Sequence, residues 1–127
     1  MDERPAIVSI QESDDGQRAR VVITLAWKDA KFAGEAIGDS DWSYRPRLVG
    51  EATLRAVECV TESEVNLSLA AIATTPLGEG QVAMAQVMME GEDEPLVGSA
   101  LLGSNDEAAA TVKAVLDALN RRISTVL

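Results

Sequence analysis

Histidine is absent from the 127 residues, and cysteine occurs once, at Cys59. Without histidine there is no His–Ser or His–Cys catalytic pair and no imidazole metal ligand. A single cysteine excludes an intrachain disulfide and a cysteine-based zinc site. Cys59 stands beside Glu58 and Glu62, whose charges oppose a thiolate, so it is a poor nucleophile. Aromatic residues make up only 3 % of the chain, too few for a base-stacking surface. Basic residues are scarce as well: 11 Lys and Arg face 21 Asp and Glu, a formal net charge of −10. That excess repels phosphate backbones and anionic lipid, so neither nucleic acid nor membrane is expected as a partner. No apolar run approaches the roughly 20 residues that span a bilayer. The start, Met1-Asp2-Glu3-Arg4-Pro5, has neither the basic nor the apolar region of a signal peptide, so the expected location is cytoplasmic.

What is present reads as one globular domain over residues 1–127, with 46 % hydrophobic and 25 % charged residues. Ala6-Ile7-Val8-Ser9-Ile10 predicts a first strand, and Ser13-Asp14-Asp15-Gly16 a turn. From Arg18 to Trp27 the pattern alternates, with Val21, Ile23, Leu25 and Trp27 on one face. After a short link at Lys28-Asp29-Ala30, a third strand is predicted from Lys31 to Ile37, completing an antiparallel meander. A polar loop, Asp39 to Arg47, follows, with Pro46 marking its boundary. Val49, Ala52, Thr53, Ala56, Val57 and Val60 then recur at helical spacing from Leu48 onward. The second half repeats the order: strands over Val65–Ala73, Gln81–Glu90 and Leu96–Leu102, with turns at Pro76–Gly80 and Gly91–Pro95. A helix follows from Asp106, with Ser104 or Asn105 as cap. Its stripe is Ala108, Val112, Val115, Leu116, Leu119 and Ile123, and Arg121 and Arg122 sit near its end.

The halves also match in sequence. Ala52-Thr53-Leu54-Arg55-Ala56-Val57 aligns with Ala110-Thr111-Val112-Lys113-Ala114-Val115, and Gly34-Glu35-Ala36-Ile37 with Gly98-Ser99-Ala100-Leu101. In this alignment Gly and helical Ala are 18 residues apart in the first half and 12 in the second, placing six extra residues in the Trp42 loop. The expected fold is α+β: a duplicated β-β-β-α unit with pseudo-repeats 1–62 and 63–127, an antiparallel sheet and two helices packed on one face. The alanines four apart predict close helix approach.

These helices carry a resemblance. Ala110, Ala114, Ala118, Asn120 and Arg121 stand at the spacing Ala-x-x-x-Ala-x-x-x-Ala-x-Asn-Arg, and Glu51, Ala52, Ala56 and Val57 match the corresponding first helix. The pattern is similar to the C-terminal regulatory domain of 2-isopropylmalate and citramalate synthases. The resemblance implies the duplicated fold and a free-standing relative of a module that binds a feedback amino acid at a dimer interface. That family's Gly-x-Gly-Pro segment before the first helix is replaced here by Arg45-Pro46-Arg47-Leu48-Val49-Gly50, and its catalytic barrel is missing.

For a binding site, the segment Asp39 to Arg47 is the strongest candidate. Trp42, Tyr44, Arg45 and Arg47 are residue types that dominate binding hot spots, and they precede a helix N-terminus, where free N–H groups attract anions. The alternative is that Trp42 and Tyr44 cover the open end of the core. No cofactor or metal is expected: the acidic run Glu90-Gly91-Glu92-Asp93-Glu94 lacks calcium-loop spacing and reads as a hairpin tip. Asn120-Arg121-Arg122 reads as a helix end, and Met84, Met88 and Met89 as sheet packing. No catalytic residue is assigned. The expected function is a non-catalytic regulatory or sensory module, a homodimer binding a small molecule or partner protein. The alternatives are a structural assembly protein and, third, a carboxylate-based cyclase or isomerase using Tyr44.

Overall fold

The structure, a computed structural model, describes residues 5–103 and 106–126, without the side chains of 121 and 123–126. The proposed caps Ser104 and Asn105, and the side chains of Arg121 and Ile123, lie outside the described residues. Strands β1 (Ala6–Asp14), β2 (Arg18–Trp27) and β3 (Ala30–Asp39) form one antiparallel sheet in that order. A 3-10 turn at Trp42–Tyr44 leads into helix α1 (Arg45–Val60). Strands β4 (Leu67–Leu77), β5 (Gly80–Met89) and β6 (Leu96–Leu101) form a second antiparallel sheet, followed by α2 (Glu107–Val126). The expected α+β fold of two similar β-β-β-α halves is therefore present, its strands divided between two sheets rather than joined in one.

Helix α1 packs on β2 and β3 of its own sheet, and also on β4 and on α2. Helix α2 packs on β5 and β6 and reaches β1. Each helix therefore touches both sheets, which is why Leu48, Ala52, Leu54, Ala56 and Val57 are all buried although they surround α1 rather than form one stripe. The core is closed from the sheets by Val21, Ile23 and Leu25 and by Ala83, Ala85 and Val87. No described helix is long and apolar enough to cross a membrane.

Side chains of α1 hold the free edge of β4 and keep the sheets apart. Arg55 donates to the Leu67 carbonyl at 2.7 Å, Glu58 accepts from the Leu67 N–H at 2.9 Å, and Arg47 donates to the Leu69 carbonyl at 3.0 Å. Backbone groups that a fourth strand would have paired are thus satisfied by a helix.

Strands β3 and β6, with Gly34 matching Gly98, are related by 64 residues, and the rest of the internal symmetry has an offset of 62 residues. The 62-residue offset relates the bulges at Val8 and Ala70, the positive-φ turn glycines Gly16 and Gly78, the starts of β2 and β5, and the starts of α1 and α2. A methyl group built on Gly34 would overlap the Ala52 carbonyl oxygen and the Ala56 nitrogen. One on Gly98 would overlap the Ala114 carbonyl oxygen and the Ala118 nitrogen. These paired contacts correct the sequence alignment by one helical turn: Ala52 corresponds to Ala114, not Ala110. Small residues recurring every four positions match themselves equally well after a one-turn slip, and only the contact with the sheet distinguishes the registers. The six-residue insertion shrinks to two, because Gly34 precedes Ala52 by 18 residues and Gly98 precedes Ala114 by 16. Five residues join β3 to α1 and five join β6 to α2.

Strand boundaries shift for identifiable reasons. β1 continues through Asp14 because Glu12 and Asp14 keep the inward alternation begun by Ile10. β4 continues through Pro76, as an edge strand permits. α1 begins at Arg45 rather than Leu48. Pro46 occupies its first turn, where a missing N–H costs nothing, so the proline opens the helix.

Candidate functional site

The first turns of α1 and α2 meet at a cavity of about 250 Å³. Arg45, Pro46 and Val49 line it from α1; Glu107, Ala108 and Thr111 line it from α2, with Asp106, Glu12 and Trp42 completing the wall. Arg45 and Glu107, Pro46 and Ala108, and Val49 and Thr111 are pairs at the 62-residue offset. The cavity lies where the internal repeat brings equivalent positions face to face.

Arg45 is the centre of the site. Its Nη1 donates to Glu12 Oε1 at 3.1 Å and its Nη2 to Asp14 Oδ2 at 3.2 Å. Period-two alternation places both carboxylates on the inward face of β1, under the start of α1. The residue is 8 % exposed, and its guanidinium lies 4.8 Å from the centroid of the Trp42 ring. Its backbone N–H donates to the Trp42 carbonyl, joining the 3-10 turn to the helix. These anchors hold Arg45 in a helical conformation (φ −62°, ψ −44°) that a following proline ordinarily disfavours.

Two buried polar atoms here have no hydrogen-bond partner among the described residues: Arg45 Nε and Thr111 Oγ1. Thr111 is fully buried. Thr53, on α1, satisfies its hydroxyl by donating to the Val49 carbonyl four residues back at 2.8 Å, whereas Thr111 forms no such bond. Asp106 caps α2 by accepting the Ala109 N–H at 2.7 Å. Tyr44, the residue before α1, makes no side-chain capping bond.

Of the four residues selected in the sequence, Trp42 and Arg45 reach the cavity and Tyr44 and Arg47 do not. Trp42 is 77 % exposed, so it does not cover the core. Tyr44 packs over Gly38 of β3. Arg47 turns towards β4, pairing with Glu51 at 3.1 Å besides its bond to Leu69. Arg122 lies about one turn before the end of α2 and pairs with Glu92 of the acidic hairpin at 2.7 Å.

Sequence reasoning missed Glu12 and Thr111. The signal for Glu12 was the alternation Ile10, Glu12, Asp14; for Thr111 it was a hydroxyl at a buried helical position. Two nearby carboxyls titrate low. The Ser43 N–H, followed by its hydroxyl, holds Asp41 below the usual carboxylate value, and the Arg18 and Gln17 N–H groups do the same for Asp15. Among the described residues no group of three Cys, Asp or Glu side chains is gathered to hold a metal ion. A scan against protein-family models gives no match to this chain, and a search of curated proteins gives none.

Proposed function

We propose that this protein is a non-catalytic regulatory or sensory module that acts as a homodimer and binds a small molecule between the first turns of α1 and α2. The observation that carries the reading is one cavity lined by two residues, Arg45 and Thr111, that each hold a buried side-chain polar atom without a partner, Nε and Oγ1. An N–H donor and a hydroxyl left without partners inside a protein cost on the order of 1–3 kcal/mol each, which a ligand oxygen offsets on binding. Pro46, Val49 and the Trp42 ring provide apolar contact beside them. The ligand class is therefore a small molecule with a carboxylate, carbonyl or amide oxygen and a short apolar portion. The resemblance to the regulatory domain of 2-isopropylmalate and citramalate synthases supports the same reading.

Catalysis fits the site less well. Glu12 is engaged by Arg45, and Asp106 is committed to the helix cap. An assembly role without a small ligand is the second reading, favoured by the uncharged outer face of the second sheet.

Native mass spectrometry of protein purified without added ligand tests the proposal. The expected result is a retained small-molecule adduct, lost from the Thr111→Val variant. Where none is retained, titration with a panel of small carboxylates and amides should change Trp42 fluorescence, with Trp42→Phe as the control. No adduct and no response across the panel would leave the assembly reading standing.

A further inference from the structure

The outer faces of the two sheets have opposite chemical character. On the first sheet, Arg20 of β2 pairs with Glu35 of β3, and Arg18 and Lys31 share that outward side. Strands β4, β5 and β6 contain no Asp, Glu, Lys or Arg at all. Their outward positions place Ala71 and Ala73 beside Met84, with Val97 beyond, around a shallow depression of about 240 Å³. Met84 is 41 % exposed, Val97 58 % and Leu101 65 %.

We infer that this outer face of β4–β5–β6 is the interface between two copies of the chain, packed sheet against sheet across a two-fold axis. The inference rests on the homodimer reading and names its surface.

Charge decides the occupant. Two copies carrying −10 each repel wherever their carboxylates approach, and this sheet lets them meet with no charge on any of its strands. A basic partner would be drawn to the carboxylates, which lie elsewhere. Size agrees. Strand spacing and rise give a face of roughly 14 by 25 Å. Two such faces cover about 700 Å² when taken as flat, and side-chain relief raises this towards the roughly 1,200 Å² at which specific interfaces begin. Identical faces stacked about 10 Å apart meet the self-complementarity that a two-fold contact requires, and flexible Met84 adapts to it.

Sedimentation velocity across the micromolar range tests the inference, using wild type, Val97→Asp and, as a control on the other sheet, Ile37→Asp (52 % exposed in the wild type). The expected result is a wild-type species of twice 13.5 kDa. Val97→Asp should weaken association at least tenfold, and Ile37→Asp should leave it unchanged. If Val97→Asp loses its folded circular dichroism, the neutral Met84→Gln, Val97→Thr double variant replaces it with the same expectation. A dimer that survives these changes overturns the interface while leaving the homodimer reading intact. A wild-type protein monomeric throughout overturns both.

Discussion

In the first half, β1, β2 and β3 carry Glu12, Asp14, Arg18, Arg20, Lys31, Glu35 and Asp39; in the second, β4, β5 and β6 carry no charged residue. The backbone plan is nevertheless shared, down to the bulges at Val8 and Ala70 and the helix contacts at Gly34 and Gly98. Inward-facing residues determine the plan because they must pack. Outward-facing residues are free to diverge, and here the outer face of one sheet carries charge and that of the other does not. The site shows the same divergence: Arg45, buried and ion-paired, corresponds to the exposed Glu107.

The largest expected effect tests the shared plan. Gly34→Val and Gly98→Val each drive a side chain into a helix backbone, so each should lose more than about 3 kcal/mol in urea unfolding. A much smaller loss at one position would break the equivalence of the halves.

Next comes the site. Arg45→Ala leaves Glu12 and Asp14 without their counter-charge and should cost about 2–4 kcal/mol, whereas the corresponding Glu107→Ala should stay within about 0.5 kcal/mol. Denaturant titration of both variants measures the asymmetry directly.

A third comparison reverses sign between the helices. In ligand-free protein, Thr111→Val removes an unpartnered hydroxyl and should raise stability by about 1 kcal/mol, read as a higher melting temperature. Thr53→Val deletes a made hydrogen bond and should be neutral or lower it by up to about 1 kcal/mol.

The smallest effect concerns pH. Asp15 and Asp41 have folded pKa values below the ordinary 3.8, so they contribute stability above that value and lose it as pH falls through the folded values. Their counterparts at the offset are Leu77 and Gly103, which do not titrate. Carboxyl titration followed by NMR should show both resonances shifting at lower pH than ordinary exposed carboxylates. Local loosening below pH 4 should begin in the first half.

Much of this was legible in the residues. The alternation of Val21, Ile23 and Leu25 places β2 and its buried face, and the spacing of Ala52, Ala56, Val57 and Val60 places α1, because burial imposes the period of the local backbone. Trp42 and Arg45 stood out by type. Thr111 did not, because its significance is a missing partner, and partners across 66 residues of chain are a tertiary matter. Tyr44 and Arg47 share the composition of a hot spot but point elsewhere, since adjacent helical positions face different directions.

By itself the sequence determined the element order, the inward faces and the duplication, because each follows from local periodicity or from residues repeating along the chain. Only the tertiary structure decided the helix register within the repeat, the division into two sheets and the meeting of the two helix starts. Residues spaced four apart slip by a turn without changing their pattern, and the Ala52 and Ala114 contacts with Gly34 and Gly98 exist only once helix and sheet are packed.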